Sequence, residues 1–206
     1  MIEHSASAAP HAPPADTRTR LLRAAVTLFQ QRGYHAVGLA QILAEAKAPK
    51  GSLYHHFPGG KKDLGRAAID WLTESILRPF KRAKEKDLAA RVFIARLFHG
   101  TGSWLAAEDF SQGAMLAMLA QGAMTEEPEL ADVLDRAYTR ITMAMADLLR
   151  DEGMAALRAN EMASLILAAL EGSVTLARAH RSTMPLQRAS AAIDRVLAGE
   201  GLKKER

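Results

Sequence analysis

Residues 42–57 read ILAEAKAPKGSLYHHF and carry the strongest structural signal in the sequence. Ile42 and Ala46 follow helical spacing up to a turn, and Pro49 suits the first turn of a second helix because its missing N–H needs no partner there. The residues that follow Pro49 are mostly polar and basic. Two short helices joined by a tight turn, the second of them cationic, predict a helix-turn-helix whose second helix can enter the major groove of DNA.

The rest of the chain is also predicted to be helical. Apolar residues recur at helical spacing almost throughout, and we find no sustained alternating stretch that would indicate a strand. The sequence therefore predicts an all-α fold of about nine helices, in which a three-helix head is joined to an antiparallel helical bundle. Gly33 is expected to end the first helix, and Pro79 to end the fourth. The predicted helices span 17–32, 39–46, 49–57, 61–77, 87–107, 112–124, 128–152, 157–180 and 185–197.

This pattern divides the chain into a head, a body and two tails. Residues 1–16 contain acids, prolines and no apolar run, which predicts a disordered tail rather than a signal peptide. Residues 17–60 form the predicted DNA-binding head, and residues 61–200 form a body for ligand binding and dimerisation. The charged residues 201–206 are expected to fray.

Basic residues are concentrated in the head. Residues 17–66 hold nine basic residues against two acidic ones, a formal charge of +7, which leaves −3 for the rest of the chain. Neutralising phosphate charge and releasing counterions supplies most of the non-specific affinity of proteins for DNA. Charge alone leaves open the alternative that this surface is simply solvated.

Composition excludes several kinds of site. The chain has no cysteine, so disulfides, thiolate metal sites and cysteine nucleophiles are excluded. The longest apolar stretches are interrupted by Gln121 and Glu171, short of the roughly 18 to 20 residues of a membrane helix, so we expect a cytoplasmic protein. His55 and His56 point about 100° apart on a helix, so no shared metal is expected. No cofactor is indicated.

Enzyme and adaptor functions are weaker alternatives. The sequence contains no nucleophile elbow, P-loop or dinucleotide fingerprint, although a dispersed catalytic set in an all-helical enzyme stays open. A function as a structural adaptor would not account for the positive charge of the head. We therefore predict that the protein is not an enzyme.

The same segment resembles the TetR family of regulators. That family's motif reads roughly Ile-Ala-x-x-Ala-Gly-Val-Ser-x-Gly-Thr-Leu-Tyr-x-Tyr-Phe and follows a helix ending in Phe-x-x-x-Gly-Tyr. The resemblance covers about residues 17–77, and the stretch PKGSLYHHFPGGKK is similar to the LmrA/YxaF-type subgroup. The matching positions are Phe29, Gly33, Tyr34, Ile42, Ala46, Gly51, Ser52, Leu53, Tyr54 and Phe57.

The chain departs from the family motif around the turn. Lys47 replaces the turn glycine and must adopt a positive φ or reshape the turn. Pro49 replaces the capping serine of the recognition helix, and Val37 and Gly38 replace threonines whose hydroxyls often hold a phosphate.

The resemblance implies a DNA-binding surface centred on the third helix. It implies that Lys50, Ser52 and His55 face the groove, and that Tyr54, His56 and Lys61 are placed to meet phosphates. Lys50 can donate to guanine acceptors or to phosphate, and a tyrosine hydroxyl can donate to phosphate. Leu53 and Phe57 are expected to be buried, whereas Tyr54 is expected to pack its ring with its hydroxyl at the surface, or to belong wholly to the core. The predicted DNA-binding residues are Lys50, Gly51, Ser52, Tyr54, His55, His56, Lys61 and Arg18.

The resemblance also implies a ligand cavity in the body. Flexible methionines and aromatic side chains suit an adaptable apolar pocket, although plain core packing is an alternative for each of them. Gly100 and Gly102 lie in the fifth predicted helix at a cost of roughly 1 kcal/mol each, which a kink, a close helix contact or room for a ligand would offset. The candidate ligand-binding residues are Phe98, Trp104, Met115, Met118, Met124 and Met143.

The last two predicted helices present small and apolar residues that suit self-association. The candidate dimer residues are Leu165, Ala169, Ser173, Ala177, Ala189, Ile193 and Val196. The resemblance thus implies a homodimer that binds a palindromic operator in double-stranded DNA and is released by a small, largely apolar effector. Such a protein acts as a repressor, and an activator of the same fold is the alternative.

Overall fold

The computed structural model describes residues 16–111, 113, 116–117 and 127–203. Within these residues the chain forms eight helices and no strand, which confirms the all-α prediction. Most of the helix predicted at 112–124 lies outside them. The helices are α1 (Thr17–Arg32), α2 (Leu39–Glu45), α3 (Lys50–His56), α4 (Lys61–Glu85), α5 (Ala90–Ala107), α6 (Pro128–Arg150), α7 (Ala156–His180) and α8 (Met184–Gly199).

The first helix has defined ends. The backbone N–H of Thr19 donates to Oδ1 of Asp16 at 2.7 Å, which caps α1 and lowers the pKa of that carboxyl group. Gly33 ends the helix at a φ of 80°, in the left-handed region that glycine adopts without strain. Both ends agree with the bounds predicted from the sequence.

The core of the head extends into the body. Leu21, Phe29, Ile42 and Leu53 of α1, α2 and α3 are fully buried in one apolar cluster. The same cluster contains buried residues of α4 and α6: Leu64, Ala68, Leu72, Leu130, Val133 and Leu134. The head and the N-terminal parts of these two body helices therefore share one core.

The fourth helix continues past Pro79, so the prediction that this proline ends it is wrong. A proline inside a helix removes one hydrogen bond, but its fixed φ is compatible with helical geometry. Phe80 and Ala83 follow the proline, and both are buried in the apolar core of the body. We infer that burial of these side chains offsets the lost hydrogen bond and carries α4 on to Glu85.

The body consists of the C-terminal part of α4 with α5 to α8. α6 packs against α4 and α7, while α8 packs against α5 and α7. Among the described helices, α7 is long and apolar enough to cross a membrane. Core helices of soluble proteins have the same length and composition, so this property does not indicate a membrane protein.

Residues 201–206 are predicted to fray, but residues 201–203, the part of this segment that the structure describes, are anchored to the body. Leu202 is buried in the body core, and Nη1 of Arg91 donates to its carbonyl oxygen at 2.9 Å. Arg91 also pairs with Asp194 of α8 through its Nε at 2.9 Å. This segment is polar in sequence, but the buried Leu202 and the partly buried Arg91 hold it against the body.

Candidate nucleic-acid interface

The third helix has one buried and one exposed face. Leu53 is fully buried and Phe57, at its C-terminal cap, is 3% exposed, which confirms the prediction for both residues. Lys50 and His55 are exposed on the other face, and Tyr54 is 48% exposed, so the alternative that Tyr54 belongs to the core is wrong. The head thus presents cationic and hydroxyl groups on a helix held by its apolar side.

The turn before this helix has the strained geometry that the sequence predicts. Lys47 adopts a φ of 48°, in the left-handed region that is unfavourable for a residue with a side chain. The N–H of Ala48 donates to the carbonyl of Leu43 at 3.0 Å, which closes the turn. Pro49 is the N-cap of α3, so the helix begins one residue later than predicted, at Lys50.

Gly51 leaves open space in front of α3. A Cβ atom built on this glycine would meet no atom within 4 Å, and the residue is exposed. Ser52 beside it is half-buried. The backbone of the first turn of α3 is therefore open to close approach by a second molecule.

Two predicted contact residues lie where α1 meets the end of α3. The guanidinium carbon of Arg18 lies 5.4 Å from the ring centroid of Phe57, within the range of a cation–π contact. The imidazole of His56 lies close enough to Asp16 to contribute to the lowered pKa of that carboxyl group. The fold therefore brings Arg18 and His56 next to α3.

Lys61 is held against the head by an aromatic ring. Its Nζ lies 4.5 Å from the ring centroid of Tyr34 and 3.4 Å from the carbonyl oxygen of His35. Burial, with the nearby charge of Glu127, raises the pKa of Tyr34 to about 12. Lys61 as a whole is half-buried at the start of α4, and its predicted contact with phosphate stays a prediction.

The loop before α4 depends on two glycines. Gly60 has a φ of 62°, and the N–H of Gly59 donates to Oδ2 of Asp63 at 2.7 Å. A Cβ at Gly60 would lie 3.6 Å from the ring of Tyr54. This loop therefore fixes the end of α3 and the start of α4 with respect to each other.

A cavity of about 140 Å³ lies in the body, enclosed by α4, α5, α6 and α7. Trp104 lines it, as predicted from the sequence, whereas Phe98 is buried against a separate groove between α5 and α8. Met143 is 57% exposed and does not line the cavity, because Tyr138, Ile141 and Met145 form the inward face of α6. Met115, Met118 and Met124 lie outside the described residues.

The sequence did not single out two polar residues of this cavity. Tyr138 and Glu171 both line it, and the hydroxyl of Tyr138 donates to Oε1 of Glu171 at 2.9 Å. The signal that could have pointed to Glu171 is its position as an acidic residue within an otherwise apolar stretch. A Cβ built on Gly102 would lie 3.5 to 3.6 Å from Thr183 and Leu186 at the start of α8, which is an ordinary van der Waals distance, so this contact does not require a glycine.

The candidate dimer residues fall into two groups. Leu165 is 50% exposed and Val196 is 41% exposed, while Ala169 and Ala189 are half-buried. The other three are buried within the chain's own core and are not available to a partner: Ser173, Ala177 and Ile193. Further exposed apolar side chains on α7 and α8, which the sequence did not single out, are Leu157, Leu176 and Met184.

Comparison with known proteins places the chain in a family. Residues 21–68 match the bacterial regulatory proteins of the tetR family, and residues 91–192 match the C-terminal domain of LmrA/YxaF-like transcriptional regulators. The chain is 30% identical over 182 residues to the HTH-type transcriptional regulator LmrA of Bacillus subtilis, covering 88% of this chain and 97% of the relative. The chain belongs to the TetR family. The resemblance noted in the sequence is thereby confirmed.

A further relative supports this assignment, and two solved structures share the fold. The HTH-type regulator YxaF of Bacillus subtilis is 31% identical over 172 residues, covering 83% of this chain and 90% of the relative. A TetR regulator from Legionella pneumophila has a TM-score of 0.80 at 23% identity, covering 88% of this chain and 97% of that one. A TetR protein from Rhodobacter sphaeroides has a TM-score of 0.78 at 23% identity, covering 87% and 97%.

Membership of the TetR family decides between the function classes. The protein is a DNA-binding transcriptional regulator and not an enzyme. The prediction made from the helix-turn-helix and its charge is confirmed, and the adaptor and enzyme alternatives are set aside.

Proposed function

We propose that the protein is a ligand-relieved repressor that binds a palindromic operator as a homodimer. The observation that carries this proposal is the two-sided α3, whose exposed Lys50, Tyr54 and His55 are held in place by buried Leu53 and Phe57. Lysine and histidine can donate to guanine or phosphate, and the Tyr54 hydroxyl can donate to phosphate. The protein acts in the cytoplasm, where it meets its DNA.

Dimerisation is supported by exposed apolar side chains on two adjoining helices. α7 and α8 pack against each other and expose Leu165, Leu176 and Val196. Large exposed apolar side chains on neighbouring elements are typical of interfaces. A twofold pairing through these helices gives each dimer two heads, which must lie about 34 to 36 Å apart to enter successive major grooves.

Ligand sensing is supported by a physical connection between the cavity and the head. Tyr138 of α6 lines the cavity, and Glu129 at the start of the same helix pairs with Lys62 of α4 at 2.6 Å and also with Arg66. Four residues separate the end of α3 from the start of α4. Ligand that moves α6 or α4 therefore changes the position of the recognition helix.

The switch follows from a difference in affinity. A ligand that binds more tightly to the state with misplaced heads shifts the population toward that state and lowers affinity for the operator. In this proposal residues 17–60 contact DNA, and residues 61–200 bind ligand and dimerise. Blocking of polymerase by the bound dimer favours repression over activation.

Selection of bound sequences from a randomised pool of duplex DNA tests the proposal. We expect recovery of two inverted half-sites with centres about one helical turn apart. The selected duplex then becomes the target for a compound library, in which an effector releases the protein from DNA. Absence of any enriched sequence, or enrichment of single half-sites only, would contradict a dimeric operator-binding regulator.

Transcription from a promoter that carries the selected duplex settles the direction of regulation. A repressor lowers reporter output when the protein is present, and the effector restores it. An increase in output on adding the protein would instead support the activator alternative.

A further inference from the structure

The body cavity is apolar except at one point. Its walls are formed largely by aliphatic and aromatic side chains, among them Phe80, Trp104, Met145 and Leu170. The hydroxyl of Thr101, which also lines it, already donates to the carbonyl of Leu97 at 2.8 Å. No lysine, arginine or histidine lies among the described residues that line this cavity.

The exception is the carboxylate of Glu171. Among the described residues, the Tyr138 hydroxyl is the side-chain donor to this carboxylate, at 2.9 Å between Oη and Oε1. A carboxylate offers about four acceptor positions on its two oxygens. Burial raises the pKa of Glu171, as expected for a carboxyl group that is withdrawn from water and has no cationic partner among the residues that the structure describes.

The charge of the Glu171 carboxylate needs a compensating partner, because the cavity around it is otherwise apolar. Withdrawing a charged group from water costs free energy unless it is paired and hydrogen-bonded, and a neutral hydroxyl supplies only a hydrogen bond. Phe80, Trp104 and Tyr138 also line the cavity, and aromatic rings of this kind attract cations. All these groups favour a positively charged occupant and disfavour an anion.

We propose that this cavity binds small aromatic or aliphatic cations, with the Glu171 carboxylate as counter-ion and the Tyr138 hydroxyl as its positioning partner. The inference rests on the ligand-sensing function proposed above and specifies the chemical class of the effector. The volume of about 140 Å³ limits the buried part of the ligand to roughly one ring, since an engineered apolar cavity of about 150 Å³ in another protein holds benzene. An ammonium group on a one-ring body fits both requirements.

Four probes of similar size separate charge from shape: benzylamine, benzyl alcohol, ethylbenzene and benzoate. At neutral pH the first is a cation, the next two are neutral and the last is an anion. Titration of the full-length protein, followed by calorimetry, should rank benzylamine first and benzoate last. A charge-assisted hydrogen bond gives an expected preference for benzylamine over ethylbenzene on the order of tenfold to a hundredfold.

Two glutamine variants on α7 show whether this preference comes from the cavity. Glu171→Gln keeps the size of the side chain and removes its charge, so we expect the preference for the cation to fall to within about threefold. Glu161→Gln is the matched control, because Glu161 is exposed on the same helix and pairs with Arg158 at 3.0 Å. This control should keep the full preference.

Several outcomes would overturn the inference. Equal binding of all four probes, binding of none of them, or a cation preference that survives in Glu171→Gln would each do so. If Glu171→Gln fails to fold, Glu171→Asp provides the second test, because a shorter carboxylate should keep the order of the probes.

Binding of the unmodified protein to its selected duplex is measured separately. Operator binding without any discrimination among the probes would reject this inference alone. Discrimination among the probes without operator binding would reject the proposed function and leave the cation site standing.

Discussion

Replacing Lys50 with glutamine tests the proposed orientation of α3 on DNA. Lys50 is exposed at the first residue of this helix, so its removal leaves the core of the head intact. A lysine that neutralises one phosphate contributes about 0.9 to the slope of log affinity against log salt concentration. A dimer loses two such contacts, so we expect the slope to fall by about 1.8. Doubling the salt concentration should then weaken the variant about 3.5-fold less than the unmodified protein.

Fluorescence anisotropy on the selected duplex, between about 50 and 200 mM salt, measures this slope. Lys81→Gln is the matched control, because Lys81 is an exposed lysine of α4 in the body and its loss changes the net charge equally. We expect the control to keep the slope of the unmodified protein. Equal slopes for Lys50→Gln and the unmodified protein, or equal decreases in both variants, would refute the placement of α3.

Three further predictions concern the core, the cavity and the dimer. Leu53→Ala should lower the free energy of unfolding by about 2 to 5 kcal/mol in denaturant titrations, because Leu53 is fully buried. Glu171→Gln should raise the melting temperature at pH 7, because burial of the ionised carboxyl group costs stability there and glutamine carries no charge. The gain should shrink toward pH 4.5, where the carboxyl group of the unmodified protein is protonated in the fold. Leu165→Glu should shift the protein toward monomer in analytical ultracentrifugation, since it places a charge on the proposed interface.

The sequence predicted most helix bounds to within a few residues, because glycines and helical spacing mark these ends locally. It failed where tertiary packing outweighs a local signal. Pro79 has low helix propensity, yet the helix continues beyond it because Phe80, the next residue, packs into the apolar core of the body. Leu202 lies in a polar segment, yet its burial and its carbonyl contact with Arg91 anchor residues 201–203.

The exposed face of the recognition helix could be predicted from the sequence, whereas the sites in the body could not. In α3, polar and apolar residues alternate with helical period, so the exposed face can be read directly from the sequence. In α7 apolar residues occur on nearly all sides, so periodicity does not separate the core face from the outer face. Ser173 and Ala177 were therefore assigned to the dimer, although both are buried.

The apolar cluster shared by α1, α3, α4 and α6 limits how this protein can be divided. A fragment ending at residue 60 would lack Leu64, Leu72, Leu130 and Leu134, which belong to the same apolar cluster as Phe29 and Leu53. The DNA-reading unit is thus not a transferable module, and chimaeras made by joining heads and bodies of different regulators need a junction that carries matching residues from both helices.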